Sequence, residues 1–262
     1  MTDSASLLET QGLTQQFGGL TAVDKLDFEV RQGEIVSLIG PNGAGKSTVF
    51  NLISGLYAPS GGRILFKGEN IGGLKPDRVQ RKGISRTFQS LRLFANMSVL
   101  ENVLVGYHSC LKSNLIGDII KPPWVGRAER EAIERSRQAL ASLSPRLLAR
   151  QEFRAGDLAY ADRRLLELAR AMVSNPALLM LDEPTAGMNP TEAATFIDHI
   201  RRINADGFTI LLIEHNLNVV MGVSHRITVL DYGVKIAEGT PEEVRHDERV
   251  IEAYLGRKAT SA

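Results

Sequence analysis

Several features are nearly missing from this 262-residue sequence, and each absence removes a class of explanation. There is one cysteine, Cys110, so no intrachain disulfide can form, which fits a reducing compartment. Net charge is almost absent: 31 basic against 30 acidic residues leave +1, unlike the basic footprint of a nucleic-acid binder. No apolar run approaches the roughly 18 residues of a membrane span. The longest, such as Leu178 to Leu181 and Ile210 to Ile213, are strand-sized. The N-terminus is polar and lacks the basic start and apolar core of a signal peptide. Internal repeats and low-complexity segments are missing too. The remainder, 43% hydrophobic and 23% charged, suits one large α/β domain or one domain with an insert. Such a chain is expected to be soluble and to reach a membrane only through a partner.

What is present is organised around Gly40-Pro41-Asn42-Gly43-Ala44-Gly45-Lys46-Ser47. The string satisfies G-x-x-x-x-G-K-[ST], a loop whose backbone N–H groups curl around phosphates where glycines permit close approach. Lys46 is expected to reach the β- and γ-phosphates, and the Ser47 hydroxyl to hold Mg²⁺, with Thr48 beside them in the nucleotide-binding set. The context fits. Glu34 to Ile39 reads as a buried strand entering the loop, and Lys46 to Leu56 as a helix whose N-terminus faces the anion. The chain is expected to bind a nucleoside triphosphate.

Strands and helices alternate around this loop. Leu7 to Phe17, Leu26 to Val30 and Arg63 to Lys67 read as strands, with a turn cluster at Ala58 to Gly62. A helix near 76–82 and a strand at Gly83 to Phe88 end at Gln89. Residues 90–157 offer no convincing strand and read as a helical insert. In it, Ser98 and Glu101 form a capping box, residues 109–126 a loop, and Arg127 to Leu143 a helix with a Glu131/Arg135 pair. Leu91, Leu93, Phe94 and Met97 are expected either to line a cleft for a membrane subunit or to form the insert's own core. Alternation then resumes: a helix from Ala161 to Ser174, a strand at Ala177 to Leu181 and a helix over 191–205. A strand at Phe208 to Ile213, a short helix at Asn216 to Gly222 and strands at 226–231 and 234–238 follow. Thr240-Pro241-Glu242-Glu243 opens a last helix.

Two apolar strands end in groups able to do chemistry. Leu178 to Leu181 leads into Asp182 and Glu183: one acid can hold Mg²⁺, and the other can orient or deprotonate a water attacking the γ-phosphate. His215 follows the strand at 208–213, and in open α/β sheets ligands sit at the carboxyl ends of strands. A lone histidine is more often structural, but this placement favours a role at the γ-phosphate. Gln89 likewise ends a strand and is a candidate sensor of Mg²⁺ or water. Glu214, next to His215, is expected to point away, to solvent or a basic partner.

The loop at 40–47, Thr87-Phe88-Gln89, Leu181-Asp182-Glu183-Pro184 and Leu212-Ile213-Glu214-His215 occur in the order found in ATP-binding-cassette ATPases, which this chain resembles. Phe17 to Val23, Arg86 to Gln89 with Leu91 to Phe94, and Glu252 to Gly256 look like one subfamily, the ATP-binding subunit of high-affinity branched-chain amino-acid importers. The resemblance implies an α/β fold: a P-loop NTPase of the ABC type with a β-rich N-terminal subdomain. One domain would span 7–256, with a helical subdomain at 90–160 and loose tails at 1–6 and 257–262. It implies that Phe17 stacks on adenine and that Asp182, with Ser47 and Gln89, lies at Mg²⁺. Glu183 would be the general base, with Gln89 and His215 as γ-phosphate sensors. ATP and Mg²⁺ are the implied cofactors. The implied partners are two membrane-spanning permease subunits, a second ATPase subunit and, indirectly, a substrate-binding protein, with no nucleic acid. The implied location is peripheral, on the cytoplasmic side of the inner membrane.

The family's signature segment, which completes a facing subunit's ATP site, departs from Leu-Ser-Gly-Gly-Gln. Here the segment reads Leu158-Ala159-Tyr160-Ala161-Asp162 and is followed by a well-matched helical stretch, Arg163 to Ala171. Ala159 lacks a hydroxyl donor, Ala161 adds a methyl group and disfavours positive φ, and Asp162 brings a negative charge unless it turns away or pairs with Arg163. The expectation is a heterodimer hydrolysing mainly at the site built on Lys46, with a homodimer as the alternative. Asn189, where many cassettes carry Asp, removes one charge. The competing functions are a lipid or lipopolysaccharide export ATPase, a non-hydrolytic nucleotide-dependent regulator, and a nucleic-acid- or ribosome-associated cassette.

Overall fold

A strand covered on both faces cannot alternate apolar with polar residues, and the apolar runs of this sequence occupy the middle of a parallel sheet for that reason. The computed structural model describes residues 6–107 and 123–255. Ile35–Ile39 (β3), Leu178–Asp182 (β7) and Thr209–Ile213 (β8) are buried at every position. With Ile84–Arg86 (β6), Arg226–Asp231 (β9) and Val234–Gly239 (β10) they form a sheet in the order β10-β9-β3-β8-β7-β6. Its pairings are parallel except for the β9–β10 hairpin. A second, antiparallel sheet runs β2-β1-β4-β5, from Leu20–Arg31 (β2), Ser6–Phe17 (β1), Gly61–Phe66 (β4) and Glu69–Asn70 (β5).

Successive side chains of the parallel strands go to opposite faces, so one set of strands builds two cores. Val36, Leu38, Leu178, Met180, Leu211 and Ile213 join Leu8, Leu26, Phe66 and the helix Lys46–Ile53 (α1) beneath the antiparallel sheet. Ile35, Leu179, Leu181, Ile210 and Leu212 join the helices of the other face. These include Val99–Tyr107 (α3), Pro123–Leu143 (α4), Tyr160–Met172 (α6) and Pro190–Ala205 (α7). The remaining helices are short: Pro76–Arg81 (α2), Pro145–Ala149 (α5), Leu217–Val223 (α8), Pro241–His246 (α9) and Glu248–Leu255 (α10).

The differences from expectation have local causes. The first helix stops at Ile53 because Gly55 takes φ 76°. The strand expected from Leu26 starts at Leu20, where a turn through Gly18 lets it pair back on β1. The strand expected over Gly83 to Phe88 keeps only Ile84–Arg86, so Thr87 to Gln89 are free to turn into the site. The helix expected from Arg127 begins at Pro123, since a proline in the first turn lacks only an N–H that needs no partner there. The expected loop at 109–126 therefore loses its last four residues to this helix, and residues 108–122, with Cys110, lie outside the described residues. So do both tails, except that Ser6 belongs to β1. The Ser98/Glu101 capping box forms, with reciprocal bonds of 2.7 and 3.1 Å. The four apolar residues after Gln89 divide their roles: Leu93 packs on the helical core, while Phe94 is half exposed.

Candidate functional site

Because β3, β6, β7 and β8 run parallel, their carboxyl ends gather the phosphate loop, Gln89, Asp182, Glu183 and His215 on one edge of the sheet. The loop leaves β3 at Gly40 and enters α1 at Lys46. Two glycines in it are required by space as well as by torsion. A Cβ on Gly40 (φ 148°) would lie 2.0 Å from the Leu230 carbonyl oxygen, and one on Gly45 (φ 99°) 2.5 Å from that of Ala22. The loop is braced from outside: Gly233 donates its N–H to the Ala44 carbonyl at 3.0 Å, and Asp24 donates to the Gly233 carbonyl at 2.9 Å. Pro41 accepts from the Ala44 N–H, while Asn42 and Gly43 are exposed.

No side chain caps the N-terminus of α1, whose first turn carries no acid, so its N–H groups and dipole are left for an anion. Lys46 is buried, its Nζ donating to the carbonyls of Gly40 (2.7 Å) and Pro41 (2.8 Å). Burial pulls its ammonium below the ordinary value, opposed by the Glu183 carboxylate. Ser47 is exposed beside it and Thr48 half-buried. Phe17, 43% exposed at the end of β1, meets the edge of Tyr57 with ring centres 5.3 Å apart. Tyr57 was not expected here; it follows the turn after α1, and only the fold brings it to Phe17.

Glu183 holds the centre. Its Oε1 lies 2.6 Å from His215 Nε2, and its Oε2 accepts from Gln89 Nε2 at 2.8 Å. Three residues from three strand ends thus meet on one carboxylate. Glu183 itself takes a left-handed backbone, φ 48°, with its N–H donated to the Ile213 carbonyl. Such a torsion in a non-glycine residue costs about 1–3 kcal/mol and persists only where its surroundings impose it.

Asp182 is buried and paired with Arg86, whose Nη2 lies 2.8 Å from its Oδ2. Arg86 also donates to Asn51 Oδ1 and Ser54 Oγ, tying Asp182 to the far end of α1. A carboxylate, a hydroxyl and an amide are a sparse donor set. That set fits Mg²⁺, which keeps several waters and takes much of its coordination from substrate phosphates. Among the described residues no cluster of three or more His, Cys, Asp or Glu could hold a metal unaided.

Glu214 does not face solvent as expected. It is 3% exposed, and its Oε1 accepts from the N–H (2.9 Å) and hydroxyl (2.5 Å) of Thr185. Its Oε2 accepts from the N–H groups of His215 (3.1 Å) and Asn216 (3.3 Å). The loops bearing Glu183 and His215 are therefore clamped together by one buried carboxylate.

The signature segment also differs from expectation. Ala161 lies inside α6, where φ is helical, so its Cβ meets no torsional conflict. Asp162 pairs with Arg150 (3.6 Å) and Arg146 (3.9 Å) rather than Arg163, which donates instead to the Leu158 and Gly156 carbonyls. Leu158 is core, Ala159 is exposed, and Tyr160 donates its hydroxyl to the Ala186 carbonyl at 2.7 Å. No side chain caps the start of α6. Asn189 caps α7 in a reciprocal box with Glu192, a role that needs no charge.

Comparison with known proteins agrees with this geometry. The sequence matches the ABC transporter family over residues 23–186, and the branched-chain amino acid ATP-binding cassette transporter family over 234–260. It is 48% identical over 254 residues to the high-affinity branched-chain amino acid transport ATP-binding protein LivG of Salmonella typhimurium, covering 97% of this chain and 99% of that one. It is 45% identical to BraF of Pseudomonas aeruginosa, a protein of the same description, with the same coverage. Among solved structures, the ADP conformation of MJ1267, an ATP-binding cassette of an ABC transporter, superposes with a TM-score of 0.83 at 32% identity, covering 96% of this chain and 99% of that one.

Proposed function

The chain belongs to the ATP-binding-cassette transporter family, and on that premise we propose that it is the ATP-hydrolysing subunit of an importer of branched-chain amino acids. The observation that carries the reading is Glu183, held between Gln89 and His215 on the sheet edge that also bears the phosphate loop. The N–H groups of residues 43–48 receive the phosphates, and the Lys46 ammonium exchanges its carbonyl partners for phosphate oxygens. Phe17 and Tyr57 supply the aromatic surface for the base. Ser47, Asp182 and Gln89 would hold Mg²⁺, which would supply positive charge to neutralise the charge developing on the phosphates. Glu183 takes the proton of the attacking water, and His215 and Gln89 hold its two oxygens until the γ-phosphate draws them away.

The domain assignment follows the same reading: one cassette over 7–256, with the helical part at 90–160 as the element that couples to the permease. The partners are two membrane-spanning subunits and a second ATPase subunit in a heterodimer, with a substrate-binding protein acting indirectly. No helix among the described residues is long and apolar enough to cross a membrane, in keeping with peripheral attachment at the cytoplasmic face. The test is Lys46→Ala in the assembled transporter. ATP turnover is expected to fall to background; unchanged turnover would overturn the reading of this site as the active one.

A further inference from the structure

Tyr160 and Arg164 belong to the signature helix, yet their hydrogen bonds lead to the catalytic acid of their own chain. The Tyr160 hydroxyl donates to the Ala186 carbonyl at 2.7 Å, and the Ala186 N–H donates to the Glu183 carbonyl at 3.1 Å. The same hydroxyl accepts from Arg164 Nε (3.2 Å) and Nη2 (3.0 Å). Arg164, 4% exposed, passes on to the carbonyls of Gln89 (2.9 Å) and Phe88 (3.4 Å). Gln89 closes the circuit through its side chain to Glu183 Oε2 at 2.8 Å. The ring therefore runs Glu183, Ala186, Tyr160, Arg164, Gln89 and back to Glu183.

We propose that Tyr160 and Arg164 are positioning residues, a strut by which the N-terminus of α6 sets the Gln89–Glu183 geometry within one chain. Three features make the strut stiff. The Tyr160 phenol packs on the turn at Gly187, where an added Cβ would lie 3.1 Å from its oxygen. The Arg164 guanidinium is held on its other side by Glu167 Oε2 at 3.2 Å. Both strut residues lie one turn apart on a single helix, so they move together. The helix start they occupy has no side-chain cap and remains open to an anion. An anion gripped there therefore bears on the general base of the chain that grips it, as well as on its own hydrolysis. The inference rests on the ATPase reading above and adds the route by which the signature helix reaches Glu183.

Tyr160→Phe removes the one hydroxyl and keeps the ring on Gly187, so it breaks the circuit without emptying a core position. In the full chain assembled in its transporter, kcat for ATP is expected to fall about fivefold to tenfold, the worth of one ordinary hydrogen bond, with KM changed less than about twofold. In a Gln89→Ala background, where the circuit is already open, the same substitution is expected to change kcat little. Thermal unfolding of Tyr160→Phe should follow the wild type closely. Wild-type kcat in Tyr160→Phe, or an equal fall in both backgrounds, would overturn the strut. Loss of turnover in the wild-type assembly itself would instead overturn the ATPase reading.

Discussion

Glu214 offers the sharpest test of how the site is built, because all of its work is done by two buried oxygens. They accept four hydrogen bonds: two from Thr185, one from His215 and one from Asn216. Hydrogen bonds to a charged group contribute about 1.5–3 kcal/mol each, and stranding a buried donor costs about 1–3 kcal/mol. The four bonds share one carboxylate and the pair on Oε2 is long, so simple addition would overstate the total. Glu214→Ala strands every donor and admits some water; a loss of about 4 kcal/mol is expected. Glu214→Gln keeps one acceptor oxygen and turns an amide N–H₂ toward the remaining donors, for a loss of about 2 kcal/mol. Equilibrium unfolding in urea reads the difference directly, with a midpoint lowered by roughly 1 M for the alanine variant. Turnover should fall in both variants, since the Glu183 and His215 loops are no longer tied. If Glu214→Gln lost less than about 0.5 kcal/mol, the magnitude of a surface substitution, the clamp would be refuted.

Three further outcomes are expected. Gly45→Ala places a Cβ 2.5 Å from the Ala22 carbonyl oxygen at φ 99°, so a loss of about 3 kcal/mol in stability and of nucleotide binding should appear in a thermal-shift titration with ATP. Burial alone would raise the Glu34 carboxyl, but hydrogen bonds and charge from Arg226, with help from Arg31, hold it below its ordinary value. Its stabilisation is therefore complete above the unfolded carboxylate range, about pH 4.3, and is lost as pH falls through the lower folded value. Arg226→Ala should accordingly cost stability at neutral pH and less below about pH 4, when unfolding is followed against pH. Finally, Glu183→Gln protein is expected to bind ATP yet remain monomeric by light scattering; an ATP-dependent dimer would show that its own signature segment suffices for a homodimer.

The parts of this fold visible in the sequence are those whose physics is local. Leu178 to Leu181 and Ile210 to Ile213 read as strands because burial on both faces left no polar position to break them. The phosphate loop announces itself because torsion and close approach restrict residues that are adjacent in the chain. Glu214 misled for the opposite reason. Its partner Thr185 is 29 residues away, and the pattern around His215 carries no sign of it. Arg86 on Asp182, Tyr57 on Phe17 and Tyr160 on Ala186 are likewise contacts between segments far apart in the chain, invisible to spacing. The signature segment shows a subtler limit. The positive-φ objection to Ala161 conflicts with the helix expected from that same residue, and the helix prevails, beginning one residue earlier at Tyr160.

The outer brace of the phosphate loop, with Gly233 bonded to Ala44 and Asp24 bonded to Gly233, has a consequence for how quickly the site can work. Ordering a loose backbone costs about 1–2 kcal/mol per residue, a penalty that a flexible loop would incur at each encounter with ligand. Here that ordering is completed once, during folding, by a hairpin and a strand of the other sheet. Each capture then spends little entropy on the protein side, and each release leaves a cradle still shaped for the next molecule. A subunit that must bind and release nucleotide in turn needs a resting shape more than a tight grip, and this loop is built to have one.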